Sequence, residues 1–187
     1  FVPPEREFIW YSASGAVMKG LDILLDIFGR HQLPTLHVVG VLDAEPDFLT
    51  IYRSELHDHP RIKMHGFLRG DDPALARIFD RCVAVLHPSA DEGMAGSVAH
   101  CMQVGLYPVI SRVTGMDLPP GCGRTLESCT EEEVAVAISD VLNASEAELR
   151  REIAETQRMA LARFSRESYS RRLREVFERW LGPDPYA

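Results

Sequence analysis

Residues 82–98, with the sequence CVAVLHPSADEGMAGSV, decide the fold class of this chain. The stretch begins with an apolar run, Cys82–His87, whose length and continuity are typical of a strand buried on both faces of a parallel sheet. A polar loop, Pro88–Gly93, follows it and leads into a predicted helix at Ser97–Val104. A buried strand, a loop and a helix in this order form the repeating unit of an α/β fold.

The same alternation of strands and helices extends in both directions from this stretch. It predicts a doubly wound, Rossmann-like parallel sheet of about six strands, with helices on both faces and a helical C-terminus. The predicted strands are Glu7–Ala13, Thr35–Gly40, Arg61–His65, Cys82–His87, Tyr107–Ser111 and Gly123–Leu126, and the predicted helices are Leu21–Arg30, Asp47–Leu56, Asp72–Asp80, Ser97–Val104, Glu131–Asn143, Glu146–Phe164 and Arg166–Leu181.

Length and composition limit the alternatives. The chain has 187 residues, enough for one well-packed domain, and we expect residues 1–187 to form that single domain. Because 45% of the residues are hydrophobic, the chain is not of the disordered class. Its apolar runs are far shorter than the ~20 residues of a membrane span. The net charge of -8 argues against a surface that coats nucleic acid.

The N-terminus, the cysteines and the histidines give three further expectations. The chain opens on Phe1 without a signal-peptide pattern, so we expect it to be cut from a longer polypeptide. Its four cysteines form no C-x-x-C pair, and Cys82 and Cys101 lie in apolar surroundings, which favours free thiols and a cytoplasmic location. His57 and His59 lack a second ligand cluster, so we expect no metal site and no cofactor.

Ligands of such sheets bind at the carboxyl ends of the strands, so the loops after the predicted strands are the candidate sites. The first loop, Ser12–Gly20, combines small residues, the start of a helix and the cation of Lys19. Small residues let the backbone approach a ligand, and a helix N-terminus attracts anions. This loop is interpreted either as a phosphate-binding loop or as an ordinary turn between a strand and a helix.

Two further loops carry distinctive residues. After the buried strand, a carboxylate at Asp91 or Glu92 either caps the next helix or binds sugar hydroxyls, while the small residues of Gly93–Ser97 leave backbone N–H groups open to an anion. In the loop His65–Leu68, Phe67 either stacks on a flat base or packs in the core. Together the three loops suit a ligand with a base, a diphosphate and a hydroxyl-rich group.

In their order and spacing, these motifs resemble the C-terminal, nucleotide-sugar-binding domain of the group 1 (family four) glycosyltransferases, which have the GT-B fold. The resemblance extends from Glu7 to about Leu181 and is to a divergent branch of the family. The segments that carry it are Lys19-Gly20-Leu21-Asp22 with Leu24-Leu25, His37-Val38-Val39-Gly40, His65-Gly66-Phe67, Pro88–Gly93, and Met102, Gly105 and Pro108-Val109-Ile110.

The resemblance implies a role for each matching residue. Lys19 would hold the donor diphosphate, and Glu92, the first of the family's paired glutamates, would contact hydroxyls of the transferred sugar; these two are the implied catalytic residues. The backbone of residues 94–97 would face the distal phosphate, and Phe67 and Leu68 would lie near the base. The complete implied donor-binding set is Ser14, Gly15, Gly20, Gly40, Gly66, Phe67, Leu68, Ser89, Met94, Ala95, Gly96, Ser97 and His100.

Two departures from the family's pattern bear on activity. His100 stands eight residues after Glu92, where the family has a second glutamate that binds the ribose hydroxyls. Ser14 stands five residues before the lysine, where the family usually has an arginine. A charge-assisted contact is therefore missing unless Arg69 or Arg112 replaces it.

The implied function is the donor half of a retaining glycosyltransferase that needs no metal. It would transfer a sugar from a nucleoside diphosphate to an acceptor, such as a glycan or a lipid-linked sugar, held by an N-terminal domain that this chain lacks. The chain alone is expected to be inactive, and any membrane contact would be peripheral and made through the missing half. The final helix, Arg166–Leu181, would pack near the domain junction, cover this domain's own sheet, or do both.

Two other classes of function are weighed against this one. His100 and Ser14 are also compatible with a non-catalytic pseudo-enzyme domain that binds a nucleotide or a partner. A Rossmann-like sugar-nucleotide epimerase would need a complete catalytic set within the 187 residues, and the sequence shows none.

Overall fold

A computed structural model describes residues 2–182 and confirms the predicted α/β architecture. Its strands are β1 (Glu7–Tyr11), β2 (Leu36–Val39), β3 (Ile62–Met64), β4 (Cys82–His87), β5 (Tyr107–Ser111) and β6 (Arg124–Leu126). They form one six-stranded sheet in the order β3-β2-β1-β4-β5-β6, and every neighbouring pair is parallel. The α-helices of the described residues are α1 (Leu21–Arg30), α2 (Pro46–Ile51), α3 (Pro73–Phe79), α4 (Gly96–Gln103), α5 (Glu131–Asn143), α6 (Glu146–Phe164) and α7 (Arg166–Leu181).

The predicted continuous helix Asp47–Leu56 is wrong. Helix α2 ends at Ile51, and a single π-helical turn, Ser54–Asp58, follows it. Phe48 of α2 and Leu56 of the π-helical turn are both buried, so both pieces of the interrupted helix pack on the core.

Both faces of the sheet are buried, because alternate residues of each strand pack into different layers. In β1, Phe8 and Trp10 belong to the layer that α1 and α5 cover, whereas Ile9 and Tyr11 belong to the layer that α3 and α4 cover. None of these four side chains is more than 8% exposed. The apolar run of Cys82–His87 is likewise buried throughout, as predicted for a central strand.

The last helix, α7, leaves its apolar stripe exposed. Ser168 is its one buried residue, whereas Trp180 is 80% exposed. The alternative that α7 covers this domain's own sheet is therefore wrong, because α3, α4 and Ala160 of α6 already cover that face. The other exposed members of the stripe are Tyr169, Leu173, Val176 and Phe177.

Side-chain caps begin the three C-terminal helices. The side-chain oxygens of Thr130, Ser145 and Ser165 each accept a backbone N–H from the third residue of the helix that follows. The Glu133 carboxylate reaches back past Thr130 and accepts N–H groups from residues 127–129. These bonds tie the end of the sheet to the start of α5.

The strand order reverses between β1 and β4, which makes this gap the topological switch point of the sheet. The loop after β1, Ser12–Gly20, and the loop after β4, Pro88–Ala95, therefore meet above the same edge. They touch at Gly20, where an added Cβ atom would lie 2.3 Å from the Pro88 carbonyl oxygen. Gly20 also has a φ of 71°, so both the close approach and the backbone conformation favour glycine here.

An ionic network centred on the buried side chains of Glu7 and His37 connects β1, β2 and the start of β4. The Glu7 carboxylate accepts two hydrogen bonds from the Arg81 guanidinium (2.6 and 2.7 Å) and lies 2.8 Å from Nε2 of His37. Nδ1 of His37 in turn lies 2.9 Å from Nε2 of His65, and the two rings stack. The hydrogen bonds from Arg81 outweigh burial and lower the pKa of Glu7 to about 2, so this carboxylate is ionised in the folded protein.

The Glu7 network predicts a specific acid sensitivity. Because the folded-state pKa of Glu7 is about 2 and its ordinary value is 4.5, its stabilisation is present above pH 4.5 and is lost as the pH falls toward 2. At neutral pH, Glu7→Gln should lower the free energy of unfolding by about 3 kcal/mol, since each pKa unit corresponds to ~1.4 kcal/mol. Urea unfolding at a series of pH values should show that the difference in the free energy of unfolding between the variant and wild type disappears as the pH falls from 4.5 to 2. Glu5→Gln removes the same charge from an exposed position and controls for net charge; a difference that stays constant with pH would contradict the assignment.

The Gly20 contact predicts a large and local cost of adding one methyl group. Gly20→Ala should lower the free energy of unfolding by more than about 3 kcal/mol, because the Cβ atom overlaps the Pro88 carbonyl and the φ is positive. Gly121→Ala is the matched control, since Gly121 also has a positive φ (79°) but a Cβ there would meet nothing within 4 Å. The control should cost only about 1–2 kcal/mol in the same denaturant titration. Equal losses in the two variants would show that the loop contact is not tight.

Candidate functional site

Lys19 and Glu92 form an ion pair across the crevice at the switch point. Nζ of Lys19 lies 3.0 Å from Oε1 of Glu92 and donates to the carbonyl oxygen of Asp91 at 2.6 Å. The two side chains are only 14% and 15% exposed. The indole N–H of Trp10 donates to the Lys19 carbonyl at 3.0 Å and holds the loop against the sheet. The structure thus brings together the two residues predicted to be catalytic.

Backbone and hydroxyl contacts fasten the two loops to each other. The N–H of Ala90 donates to the Met18 carbonyl at 2.9 Å. Oγ of Ser89 lies 3.1 Å from the same carbonyl and 2.9 Å from that of Asp91. Ser89 is 1% exposed and its hydroxyl joins the two loops, so its contact with the donor stays a prediction.

His87 is a site residue that the sequence analysis missed. It is the last residue of β4, its side chain is fully buried, and its Nε2 lies 3.2 Å from Oε1 of Glu92. Burial outweighs the nearby carboxylate and lowers the pKa of His87, so the ring is neutral near pH 7. A titratable residue at the end of the apolar run CVAVLH was the signal in the sequence that could have found it.

The loop after β1 already binds a carboxylate of the protein itself. Oε1 of Glu45 accepts the N–H groups of Gly15 (2.8 Å) and Ala16 (3.0 Å), and Oε2 lies 3.1 Å from the second. The small residues of the loop do create an anion-binding turn, as the sequence indicates. Because Glu45 occupies the N–H of Gly15, a donor would have to displace this carboxylate to bind that N–H, and the donor contact of Gly15 stays a prediction.

The start of α4 presents open backbone beside the crevice. The N-cap residue, Ala95, provides no side-chain hydrogen bond, and a Cβ added at Gly96 would have no neighbour within 4 Å. Met94 is exposed and Ser97 is partly exposed. Ala95 differs, because its side chain is buried and its own N–H donates to the Thr114 carbonyl at 3.4 Å. Three of the four predicted phosphate-facing residues therefore remain accessible, and Ala95 does not.

The loop after β3 presents an exposed aromatic ring. Phe67 is 53% exposed, so the alternative that it packs in the core is wrong. The chain turns at Gly66, which has a φ of 68° and accepts the N–H of Gly40 at its carbonyl (3.0 Å). The Leu68 carbonyl accepts the Tyr11 hydroxyl at 3.2 Å. These bonds fix the backbone on both sides of Phe67 and leave its ring accessible.

Neither a metal site nor a membrane span is found among the residues that the structure describes. Within residues 2–182, no three His, Cys, Asp or Glu side chains are placed to hold one metal ion. Nδ1 of His59 instead accepts the N–H of Arg61 at 3.3 Å. In the same range, no helix combines the length and the apolar character that crossing a membrane requires.

Comparison with known proteins assigns this arrangement to a family. A family model described as glycosyl transferases group 1 matches residues 6–144, which include all six strands and α1–α5. The chain belongs to the group 1 glycosyltransferases. The Lys19–Glu92 pair therefore lies within the matched region. A comparison with curated proteins found no match.

Solved structures share the fold of this glycosyltransferase chain over nearly all of its length. The glycosyltransferase of Rickettsia africae matches 98% of this chain and 49% of its own, with a TM-score of 0.80 and 13% identity. HepE of Anabaena, in complex with UDP and glucose, matches 92% of this chain and 48% of its own, with a TM-score of 0.78 and 20% identity. Sucrose-phosphate synthase of Thermosynechococcus elongatus matches 96% of this chain and 46% of its own, with a TM-score of 0.76 and 19% identity. The chain thus spans about half the length of these proteins.

In this group 1 glycosyltransferase, His100 packs among aromatic side chains. Its ring meets those of Phe79 and Tyr11 edge-on, with centroid distances of 5.4 and 6.4 Å. Burial lowers the pKa of His100, which favours the uncharged ring. Any contact that His100 makes with a ribose would therefore lack the negative charge that a glutamate at this position supplies.

The two arginines considered as replacements for the cation missing at Ser14 are already paired. Nε of Arg69 lies 3.1 Å from Asp71, and Nη1 of Arg112 lies 3.2 Å from Glu127. All four of these side chains are highly exposed. The two arginines would therefore have to exchange partners before they contacted a ligand in the crevice.

The contact between Glu45 and the loop after β1 predicts that this carboxylate protects two backbone amides of the loop from hydrogen exchange. Glu45→Ala should speed hydrogen exchange at the amides of Gly15 and Ala16 by about 10–100-fold, because hydrogen bonds to a charged group contribute ~1.5–3 kcal/mol. Exchange followed by NMR at constant pH measures this directly. Asp47→Ala, an exposed change in the first turn of α2, should leave both amides protected. Unchanged protection in the Glu45 variant would mean that the loop holds its shape without the carboxylate.

Proposed function

We propose that this chain is the donor-binding half of a retaining glycosyltransferase and holds a nucleoside diphosphate sugar in the crevice between the loops after β1 and β4. The Lys19–Glu92 pair at the switch point carries the proposal. A lysine and a carboxylate side by side suit a ligand in which a diphosphate is joined to a hydroxyl-rich group. HepE, which has the same fold, was solved with UDP-glucose, and this makes UDP-glucose the first probe to use.

Lys19 would stabilise the leaving diphosphate. Negative charge grows on that group as the bond to the sugar breaks, so a cation placed there is worth most in the transition state. Lys19 would exchange its bond to the Asp91 carbonyl for one to a phosphate oxygen. The N–H groups of Gly96 and Ser97 add the positive end of the α4 dipole. Because these groups supply the positive charge, the proposal includes no metal ion.

Glu92 would orient the sugar as an ionised acceptor. Lys19 and His87 both contact Oε1, which leaves Oε2 to accept a hydrogen bond from a sugar hydroxyl. Burial raises the pKa of Glu92, but the hydrogen bonds from Lys19 and His87 outweigh it and hold the pKa below its ordinary value. A carboxylate that stays ionised at neutral pH binds hydroxyls and does not act as a proton donor.

The acceptor would lie on a second domain. The chain spans about half the length of the structures that share its fold, and α7 presents an apolar stripe that includes Phe177 and Trp180. Exposed stripes of this kind mark surfaces that pack against another domain or protein. We therefore assign the acceptor, a glycan or a lipid-linked sugar, to an N-terminal domain outside these 187 residues. The chain alone should bind the donor without transferring its sugar.

A second candidate function is a non-catalytic domain of the same fold. The packed, uncharged ring of His100 and the paired states of Arg69 and Arg112 favour it, because all three weaken the polar contacts available to a nucleotide. In the form of this alternative that binds only a partner, the crevice binds no nucleoside diphosphate. Calorimetry distinguishes this form from the main proposal, because calorimetry measures the affinity for a nucleoside diphosphate directly.

Donor binding should depend on Lys19 and not on the total positive charge. Lys19→Ala should weaken the binding of UDP-glucose by about 10–100-fold in isothermal titration calorimetry, since a charge-assisted hydrogen bond contributes ~1.5–3 kcal/mol. Lys63→Ala removes the other lysine, which is exposed on β3, and should leave the affinity unchanged. Chelation of divalent ions with EDTA should not change the wild-type affinity.

Two results would count against the proposed function. The first is a wild-type chain that binds none of UDP, GDP, ADP or their sugars at millimolar concentration, which would favour the non-catalytic alternative. The second is an equal loss of affinity in the Lys19 and Lys63 variants, which would place the ligand on a diffuse electrostatic surface and not in the crevice.

A further inference from the structure

The imidazole of His87 is in an unusual environment. It terminates a central strand whose other residues are apolar, and its side chain has no exposed surface. Nε2 contacts Oε1 of Glu92, while Nδ1 is buried and has no hydrogen-bond partner within residues 2–182. An apolar residue of similar size would avoid this unsatisfied nitrogen, so the histidine is not what packing or stability favours at this position.

Hydrogen-bond chemistry determines the form of the ring. Glu92 is ionised and can only accept, so Nε2 carries the proton and donates it to Oε1. Nδ1 then bears a lone pair, which is less costly to bury unpaired than a second N–H of a charged imidazolium. Burial and the lysine charge both oppose protonation of the ring. His87 is therefore a fixed, neutral donor with one partner.

The Glu92 carboxylate is consequently held at one oxygen from two sides. Lys19 approaches Oε1 from the loop after β1 at 3.0 Å, and His87 approaches it from the sheet at 3.2 Å. Two donors on one oxygen restrict the torsion angle of the carboxyl group, and neither of these two contacts uses Oε2. When Lys19 shifts toward a diphosphate, His87 is the remaining donor that keeps this orientation.

We propose that His87 is a positioning residue for donor recognition, which locks the Glu92 carboxylate so that Oε2 faces the hydroxyls of the sugar part of a nucleoside diphosphate sugar. The identity of the ligand in this inference rests on the proposed function. The fixed orientation of the Glu92 carboxylate, called the lock below, rests on the structure alone. His87 does not touch the ligand and acts through Glu92. It therefore affects the recognition of the sugar and not that of the nucleotide.

Three variants separate this role from packing. His87→Gln places an amide N–H near the position of Nε2 and should preserve the lock, whereas His87→Asn places its amide near Nδ1 and should not. His87→Leu fills the space without any donor. Because Leu also removes the unsatisfied nitrogen, its midpoint in urea unfolding should equal or exceed that of wild type. A residue that only stabilised the fold would give the opposite result.

The lock itself is measured without any ligand. Carboxyl ¹³C NMR follows the titration of Glu92, and ring ¹⁵N NMR of the wild type should show a neutral His87 with its proton on Nε2. The contacts place Lys19 and His87 as the ionisable groups that face Glu92. The titration midpoint of Glu92 should rise in the Leu and Asn variants, because burial remains and a donor is lost, and should stay near the wild-type value in the Gln variant. An unchanged midpoint in all three variants would overturn the lock.

Binding of UDP and UDP-glucose tests the consequence for recognition. The ratio of the two affinities should shift against UDP-glucose by about 3–10-fold in the Leu and Asn variants and should be retained in the Gln variant, while the affinity for UDP stays constant. If UDP-glucose and UDP lose affinity equally, His87 supports the whole crevice and the inference fails. If wild type binds neither compound, the proposed function fails, and the NMR titration still decides whether His87 locks Glu92.

Discussion

The site depends on the contact between the backbone of Gly20 and the carbonyl of Pro88. With no side chain between them, the loops that follow two central, parallel strands lie against each other, and Ala90 can donate to the Met18 carbonyl. The same approach lets the Lys19 side chain reach Glu92 from the other loop. Because both loops follow buried strands, the sheet determines where these charged groups meet.

Carboxylates, more than cations, organise the polar parts of this acidic chain. Glu45 satisfies the amides of the first loop, Glu7 joins two strands and Arg81, and Glu133 caps α5. Each carboxylate is matched by donors close at hand, so the overall charge of -8 is compatible with local sites that attract anions. At the crevice this leaves a balanced pair and not a strongly positive surface, which suits a ligand that offers hydroxyls as well as phosphates.

The features that local pattern encodes could be predicted from the sequence, and those that depend on distant partners could not. Apolar runs and small-residue turns are local, so the parallel sheet and the convergence of Lys19 with Glu92 follow from them. Glu45 lies 30 residues from the loop that it binds, and no spacing rule connects them. The exposure of α7 could not be predicted either, because an amphipathic helix has the same sequence pattern whether its own domain or another one covers it.

The bond from the Trp10 indole to the Lys19 carbonyl has a spectroscopic consequence. The chain contains two tryptophans, and they occupy opposite extremes: Trp10 has no exposed surface, whereas Trp180 is 80% exposed on α7. Their emission maxima should therefore be separated, with the buried indole at the shorter wavelength. Movement of the loop around Lys19 perturbs only the first signal, and burial of α7 against another domain perturbs only the second. The proposed donor binding and the proposed docking of a second domain could thus be followed independently in one unlabelled sample.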